Sequence, residues 1–81
     1  MRLTEARVGD CLLLRSLPAD PKTEIQVRSL GLVPGAELRL VRRAPFRGPL
    51  LLEVGRRSVA VGWLVASNIE VVSIPASAKD G

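Results

Sequence analysis

The stretch Leu30-Gly31-Leu32-Val33-Pro34-Gly35 decides how this chain folds. Gly31 can adopt the left-handed conformation that ends a helix, because it has no Cβ to clash with the backbone. Pro34 and Gly35 stand at the second and third positions of a four-residue turn, the order that a type II turn requires. The stretch therefore predicts a helix end, a chain reversal and the entry to a strand in quick succession.

The composition predicts one small domain with an aliphatic core. The chain has 81 residues, of which 47% are apolar, and Phe46 and Trp63 are its only aromatic residues. A single cysteine, Cys11, excludes an internal disulfide, and the absence of histidine removes the commonest general base and metal ligand. The N-terminus lacks the apolar run of a signal peptide, and no segment approaches the ~20 apolar residues that span a bilayer. We therefore expect a cytoplasmic domain with no direct membrane insertion.

The part of the chain before Leu30 has the signals for one strand and one short helix. Residues Cys11–Ser16 form a short apolar run, typical of a mostly buried strand. Asp20 followed by Pro21 predicts a helix start, and the helix is expected to run from about residue 21 to 30. Within it, Ile25 points away from the other apolar residues at ~100° per residue. Ile25 therefore lies either on a helix wedged between two surfaces or in a partner-binding patch.

The part of the chain after Gly35 has the pattern of a sheet. Apolar and charged residues alternate over 36–42, and Gly55 stands in a short connection typical of a hairpin. The predicted elements are strands at 36–42, 50–54, 58–61 and 68–74, a single helical turn at 63–67, and a flexible tail at 76–81. We expect a mainly β domain over residues 1–75, a small, partly open barrel of about five strands.

Several motifs follow one another in an order typical of a known family. The opening stretch is followed by Ala44-Pro45 and Gly48-Pro49 in one loop, by Gly55 at the hairpin, and by Ala66 with Ile69-Glu70-Val71. Over residues 5–74 the chain resembles the FeoA family, the small ferrous iron transport protein A. Three pairs depart from the family pattern: Gln26-Val27, Phe46-Arg47 and Val61-Gly62.

This resemblance implies a fold, a role and a partner. The fold is an SH3-like β-barrel in the cytosol. The role is a non-enzymatic, regulatory one in bacterial ferrous iron uptake. The implied partner is FeoB, the membrane transporter that contains a GTPase.

The residue types present argue against an enzymatic reaction and against a metal or cofactor site. Without histidine, no Ser-His-Asp or Cys-His arrangement is possible, and the eight carboxylates are scattered. No glycine-rich phosphate loop is present, and one cysteine supplies no metal-ligand cluster. We therefore predict no catalytic, cofactor or metal site, and assign turn and cap roles to Gly31, Pro34, Gly35, Gly48 and Gly55.

Arginine in two loops provides the main candidate binding surface. Twelve Lys and Arg residues against eight Asp and Glu give a net charge of +4. Guanidinium groups suit carboxylates and phosphates alike, so three interpretations stay open: solubility, an acidic face of the GTPase partner, and nucleic acid. Nucleic acid is the less favoured, because aromatic stacking platforms are nearly absent. If the two loops lie at one end of the barrel, five arginines cluster: Arg42, Arg43, Arg47, Arg56 and Arg57.

The remaining candidates are apolar residues and one helix arginine. Phe46 stands between prolines and beside an arginine, so we expect an exposed anchor for a protein partner. Ile25 and Arg28 are expected to belong to the same partner-binding region, whereas Trp63 is expected to plug the core. Leu51 and Val72 point outward by alternation and either extend an apolar patch or support self-association between barrel edges.

Overall fold

A computed structural model of the chain describes residues 1–75, so the predicted flexible tail at 76–81 lies outside the described residues. The elements in chain order are a 3-10 helix at Leu3–Glu5, β1 at Cys11–Ser16, α1 at Pro21–Ser29, β2 at Glu37–Arg43, β3 at Leu50–Val54, β4 at Arg57–Val61, α2 at Trp63–Ala66 and β5 at Glu70–Ile74.

The five strands form one antiparallel sheet in the order β4-β3-β2-β1-β5. The sheet does not close, because the strands at its two edges, β4 and β5, do not pair with each other. The predicted fold, mainly β with about five strands in a partly open barrel, is confirmed. The largest fully buried side chains within residues 1–75 are aliphatic, as the composition predicts: Leu3, Leu12, Leu14, Val27, Leu32, Leu38, Leu40, Leu50, Leu52, Ile69 and Val71.

Helix α1 begins at the predicted N-cap. The carboxylate of Asp20 accepts hydrogen bonds from the Thr23 hydroxyl at 2.7 Å and from the Thr23 N–H at 3.0 Å. Both bonds favour the charged form, the side-chain bond most, and so lower the pKa of Asp20. Pro21 then occupies the first turn, where its missing N–H leaves no bond unmade.

Helix α1 ends in the left-handed cap that the sequence predicts. Gly31 has φ +90° and its N–H bonds to the Arg28 carbonyl at 3.0 Å. The N–H of Leu32 reaches back to the Val27 carbonyl at 3.3 Å. These two bonds are those of a Schellman motif, and Leu32 and Val27 are both buried, as that motif favours.

The turn after the helix leads the chain into the sheet. The Ala36 N–H bonds to the Val33 carbonyl at 3.0 Å, and Gly35 has φ +92°, as a type II turn requires. The Gly35 N–H also bonds to the Leu14 carbonyl at 2.9 Å, which fixes the turn beside β1. The predicted succession of helix end, turn and strand is confirmed.

The first residues do more than the sequence predicts. No helix or strand is predicted before Cys11, yet Leu3 is fully buried and its N–H bonds to the Ile69 carbonyl at 2.9 Å. The Val71 N–H bonds to the Met1 carbonyl at 2.8 Å. The first residues therefore lie along the start of β5 and supply part of the core.

Strand β2 contains a bulge that changes which arginine lies on the same face of the sheet as the buried leucines. Leu40 lies opposite Leu52 on β3, and Arg42 already lies opposite Leu51, so Val41 has no partner. Strict alternation from Leu40 would turn Arg42 inward. The extra residue reverses the alternation beyond this point.

Arg43 therefore lies on the inner face of the sheet, at the end of β2, where its side chain is still exposed. It lies opposite the buried Leu50, and residues opposite each other share a face of the sheet. Its guanidinium donates hydrogen bonds to the carbonyl of Thr4, at 2.9 Å, and to that of Ala6. Arg43 thus attaches the 3-10 helix to the end of β2.

We predict that Gly31→Ala lowers the free energy of unfolding by about 2 kcal/mol and Gly35→Ala by about 1 kcal/mol. Both changes force alanine into the left-handed region. At Gly31 the new Cβ also meets the Arg57 guanidinium, whereas at Gly35 nothing lies within 4 Å. Urea denaturation of both variants measures the difference, and equal losses would contradict a role for the Arg57 contact.

We predict that Arg43→Met lowers the free energy of unfolding by about 1 kcal/mol, because the carbonyls of Thr4 and Ala6 lose their donor. Arg42→Met is the matched control, since Arg42 is exposed and makes no side-chain hydrogen bond within residues 1–75. Its expected effect is within about 0.5 kcal/mol. Similar losses of unfolding free energy in Arg43→Met and Arg42→Met would show that the bulge does not decide which arginine stabilises the domain.

Candidate functional site

The candidate residues lie on two separate surfaces. The loop at 44–49 joins β2 to β3, and the hairpin at 55–56 joins β3 to β4, so the two connections lie at opposite ends of β3. A strand of this length separates them by roughly 15 Å. The five arginines of the two loops therefore do not form one cluster. We call Arg42, Arg43, Phe46, Arg47 and Trp63 the loop surface, and Ile25, Arg28, Arg56 and Arg57 the helix surface.

The loop surface is built on a strained turn. Phe46 and Arg47 both have positive φ, +57° and +56°, and the Gly48 N–H bonds to the Pro45 carbonyl at 3.1 Å. Two central residues in this region are typical of a type I′ turn, which normally uses Asn and Gly. Side chains in this conformation cost about 1 kcal/mol or more each. Gly48 is required here, because an added Cβ would lie 2.7 Å from the Ala44 Cβ.

This turn presents Phe46 to solvent. The side chain is 99% exposed, which confirms the predicted exposure. The strain at Phe46 is not compensated by burial of its ring within residues 1–75. A strained residue with a fully exposed aromatic side chain is a reason to consider a binding role.

Trp63 lies beneath two arginines instead of in the core. The guanidinium carbons of Arg43 and Arg47 are each 6.0 Å from the centre of its ring, within reach of a cation–π interaction. Trp63 is half-buried and lies outside the core cluster, so the prediction of a core plug is wrong. It begins α2 at the surface directly after Gly62. No local sequence signal brings these three side chains together, because they come from β2, a loop and α2.

The helix surface combines an exposed aliphatic residue with basic groups. Ile25 is 68% exposed and shares a face of α1 with Arg28, three residues further on. The Arg28 Nε lies 3.0 Å from the Glu24 carboxylate, whereas Arg56 has no ion-pair partner within residues 1–75. Arg57 donates a hydrogen bond at 2.8 Å to the carbonyl of Leu30, at the end of α1. The hairpin and the helix are thereby joined.

Leu51 and Val72 do not form a common apolar patch. Leu51 belongs to β3 and Val72 to β5, and two strands, β2 and β1, lie between them. Both side chains are half-buried.

The described residues do not bring metal ligands together. Within residues 1–75, no three His, Cys, Asp or Glu side chains are grouped closely enough to hold a metal ion. Cys11 is a free, buried thiol opposite Arg39 and Ile74. Of the helices in the part of the chain that the structure describes, none has the length and apolar character needed to cross a membrane.

Comparison with known proteins gives one family and several solved structures. The FeoA domain family matches residues 1–73. The structure of FeoA from Chlorobium tepidum has 29% identity and a TM-score of 0.84, over 93% of this chain and 71% of that one. FeoA from Stenotrophomonas maltophilia, a zinc complex described as a procaryotic SH3 domain protein, has 29% identity and a TM-score of 0.75, over 89% of each chain. No curated protein matches the chain.

A regulator also contains a similar structure. A manganese-dependent transcriptional repressor has 28% identity and a TM-score of 0.84, over 91% of this chain but only 41% of that one. Because the FeoA match spans nearly the whole of this chain, the chain belongs to the FeoA family, whose SH3-like domains are accessory to ferrous iron transport.

Proposed function

We propose that this chain is a regulatory accessory protein of ferrous iron transport, which docks through its helix surface on the cytosolic part of a FeoB-type GTPase transporter. Membership of the FeoA family supports the transport role. The observation that carries the choice of surface is the exposure of Ile25. For the loop surface the sequence predicts the same partner.

Ile25 has the surroundings of an interface anchor. An aliphatic side chain that is 68% exposed gains free energy when a partner covers it, at about 25 cal/mol per Å² of apolar area. Arg28 lies beside it on the helix, and Arg57 connects the hairpin with Arg56 to the same helix. An exposed apolar side chain beside an arginine is typical of binding hot spots, and the positive charge favours a partner with exposed carboxylates.

The helix surface is also held rigid before binding. The Schellman motif fixes the end of α1, and the Arg57 hydrogen bond fixes the helix to the sheet. A surface already in its bound shape loses little conformational entropy on association. We propose that docking alone, without chemistry by this chain, alters the nucleotide cycle or assembly of the transporter.

We predict that Ile25→Ala weakens binding to the soluble cytosolic part of the transporter about tenfold, as expected for a hot-spot residue. Isothermal titration calorimetry without lipid measures the affinity. Because Ile25 is exposed, its replacement should change the free energy of unfolding by no more than about 0.5 kcal/mol.

Phe46→Ala is the matched control, since Phe46 is also apolar and exposed but lies on the loop surface. It should leave the affinity within about twofold, because this change removes no contact of the helix surface. Unchanged affinity in Ile25→Ala, with an intact fold, would contradict docking through the helix surface.

Nucleic-acid binding is a second candidate, favoured by the similarity to a transcriptional repressor. The structure offers few platforms on which bases could stack, because Phe46 is the one fully exposed aromatic side chain within residues 1–75 and two arginines lie over the Trp63 ring. A fluorescence anisotropy titration with labelled DNA and RNA separates the candidates. Affinity for many oligonucleotides that falls steeply with salt would favour this second function.

A further inference from the structure

We propose that the loop surface is a peripheral contact for an anionic lipid bilayer, with Phe46 entering the headgroup region and arginines binding lipid phosphates. This contact is separate from the docking of α1 on a protein partner. It concerns the surface of the membrane and involves no membrane-spanning segment.

The shape of the loop surface favours a soft, flat partner. Phe46 projects from the tip of a turn, 99% exposed, and lines neither the cavity beside Asp20 and Leu64 nor the one beside Arg15 and Glu70. A projecting aromatic side chain needs a partner that can deform around it or offer a pocket. The interfacial region of a bilayer accepts such a side chain without a preformed pocket.

Positive charge surrounds Phe46 at this end of the barrel. Arg42 and Arg43 end β2 and Arg47 follows Phe46, while Arg7 comes directly after Ala6, whose carbonyl binds Arg43. The ion pairs within residues 1–75 involve none of these arginines. The charges of Arg7, Arg42 and Arg47 are therefore available to an anionic surface, whereas the Arg43 guanidinium already donates to two backbone carbonyls.

The nearby carboxylates do not cancel this charge by direct pairing. Glu5 accepts a hydrogen bond from the Arg2 N–H at 2.7 Å, and Asp10 accepts one from the Arg7 N–H at 2.9 Å. Both are thus engaged with backbone. By contrast, the helix surface carries an Arg28–Glu24 ion pair. The loop surface is the more uniformly basic of the two.

Apolar exposure at this end extends beyond Phe46. Val8, 59% exposed, precedes Gly9, whose N–H bonds to the Leu40 carbonyl of β2 at 2.7 Å. Val41, at the bulge, is 37% exposed. Apolar tips separated by arginines are typical of proteins that rest on anionic membranes, where aliphatic and aromatic side chains enter the interface and cations remain at the phosphates.

Sedimentation with lipid vesicles tests the proposal on the full chain. We expect binding to vesicles of phosphatidylcholine with phosphatidylglycerol, little binding to phosphatidylcholine alone, and weaker binding at high salt. Phe46→Ala should lower the partition coefficient about tenfold, because one buried aromatic side chain is lost. Arg42→Gln should lower it about fivefold, the worth of one arginine near an anionic surface.

Arg56→Gln is the charge-matched control. It removes the same charge from the helix surface, so it should leave the partition coefficient within about twofold. Trp63 gives a second readout, since lipid at Arg43 and Arg47 should change the fluorescence of the ring beneath them.

Three results would overturn the proposal. The first is no binding to phosphatidylglycerol vesicles by the folded chain. The second is an equal decrease of the partition coefficient in Arg56→Gln and Arg42→Gln, which would show that net charge alone determines binding to the vesicles. The third is a loss of affinity of Phe46→Ala for the soluble transporter domain without lipid, which would make the loop surface a protein contact. None of these depends on whether Ile25 binds the transporter.

Discussion

The end of α1 is held by the bond from the Leu32 N–H to the Val27 carbonyl, and the arrangement of the rest of the domain depends on it. Both side chains are buried, so the helix end is also part of the core. Gly31 can close this cap because its φ of +90° is accessible to glycine. The next residues lead the chain to β1, where the Gly35 N–H bonds to Leu14. A short helix that buries only Val27 along its length is thereby fixed against a sheet.

Local signals predicted much of the fold. The Asp20-Pro21 pair predicted the start of α1, and Gly31 predicted its end, because capping depends on residues close in sequence. The limits of β1 at Cys11–Ser16 were predicted for the same kind of reason, since an apolar run bounded by turn residues needs no information from the rest of the chain.

Features that depend on distant residues could not be predicted in this way. The bulge at Val41 arises from the register between β2 and β3, and this register places Arg43 on the same face of the sheet as Leu50. The position of Trp63 under two arginines depends on tertiary contacts. The separation of the two loops, by contrast, could have been predicted, because consecutive antiparallel connections lie at opposite ends of their shared strand. That signal was present in the predicted strand order.

Separation of the two surfaces has a consequence for function. In the proposed arrangement, the helix surface contacts the transporter while the loop surface contacts the bilayer beside it. Two weak contacts made by one rigid body reinforce each other, because the first raises the effective concentration for the second. Arg57 contributes to this rigidity by joining the hairpin to the helix end.

The docking claim is tested most directly by backbone NMR of the isotope-labelled chain, titrated with the soluble cytosolic part of the transporter. We predict that amide resonances of α1 and of the hairpin at 55–57 change, while those of the loop at 44–49 stay in place. Changes confined to the loop at 44–49 would contradict it.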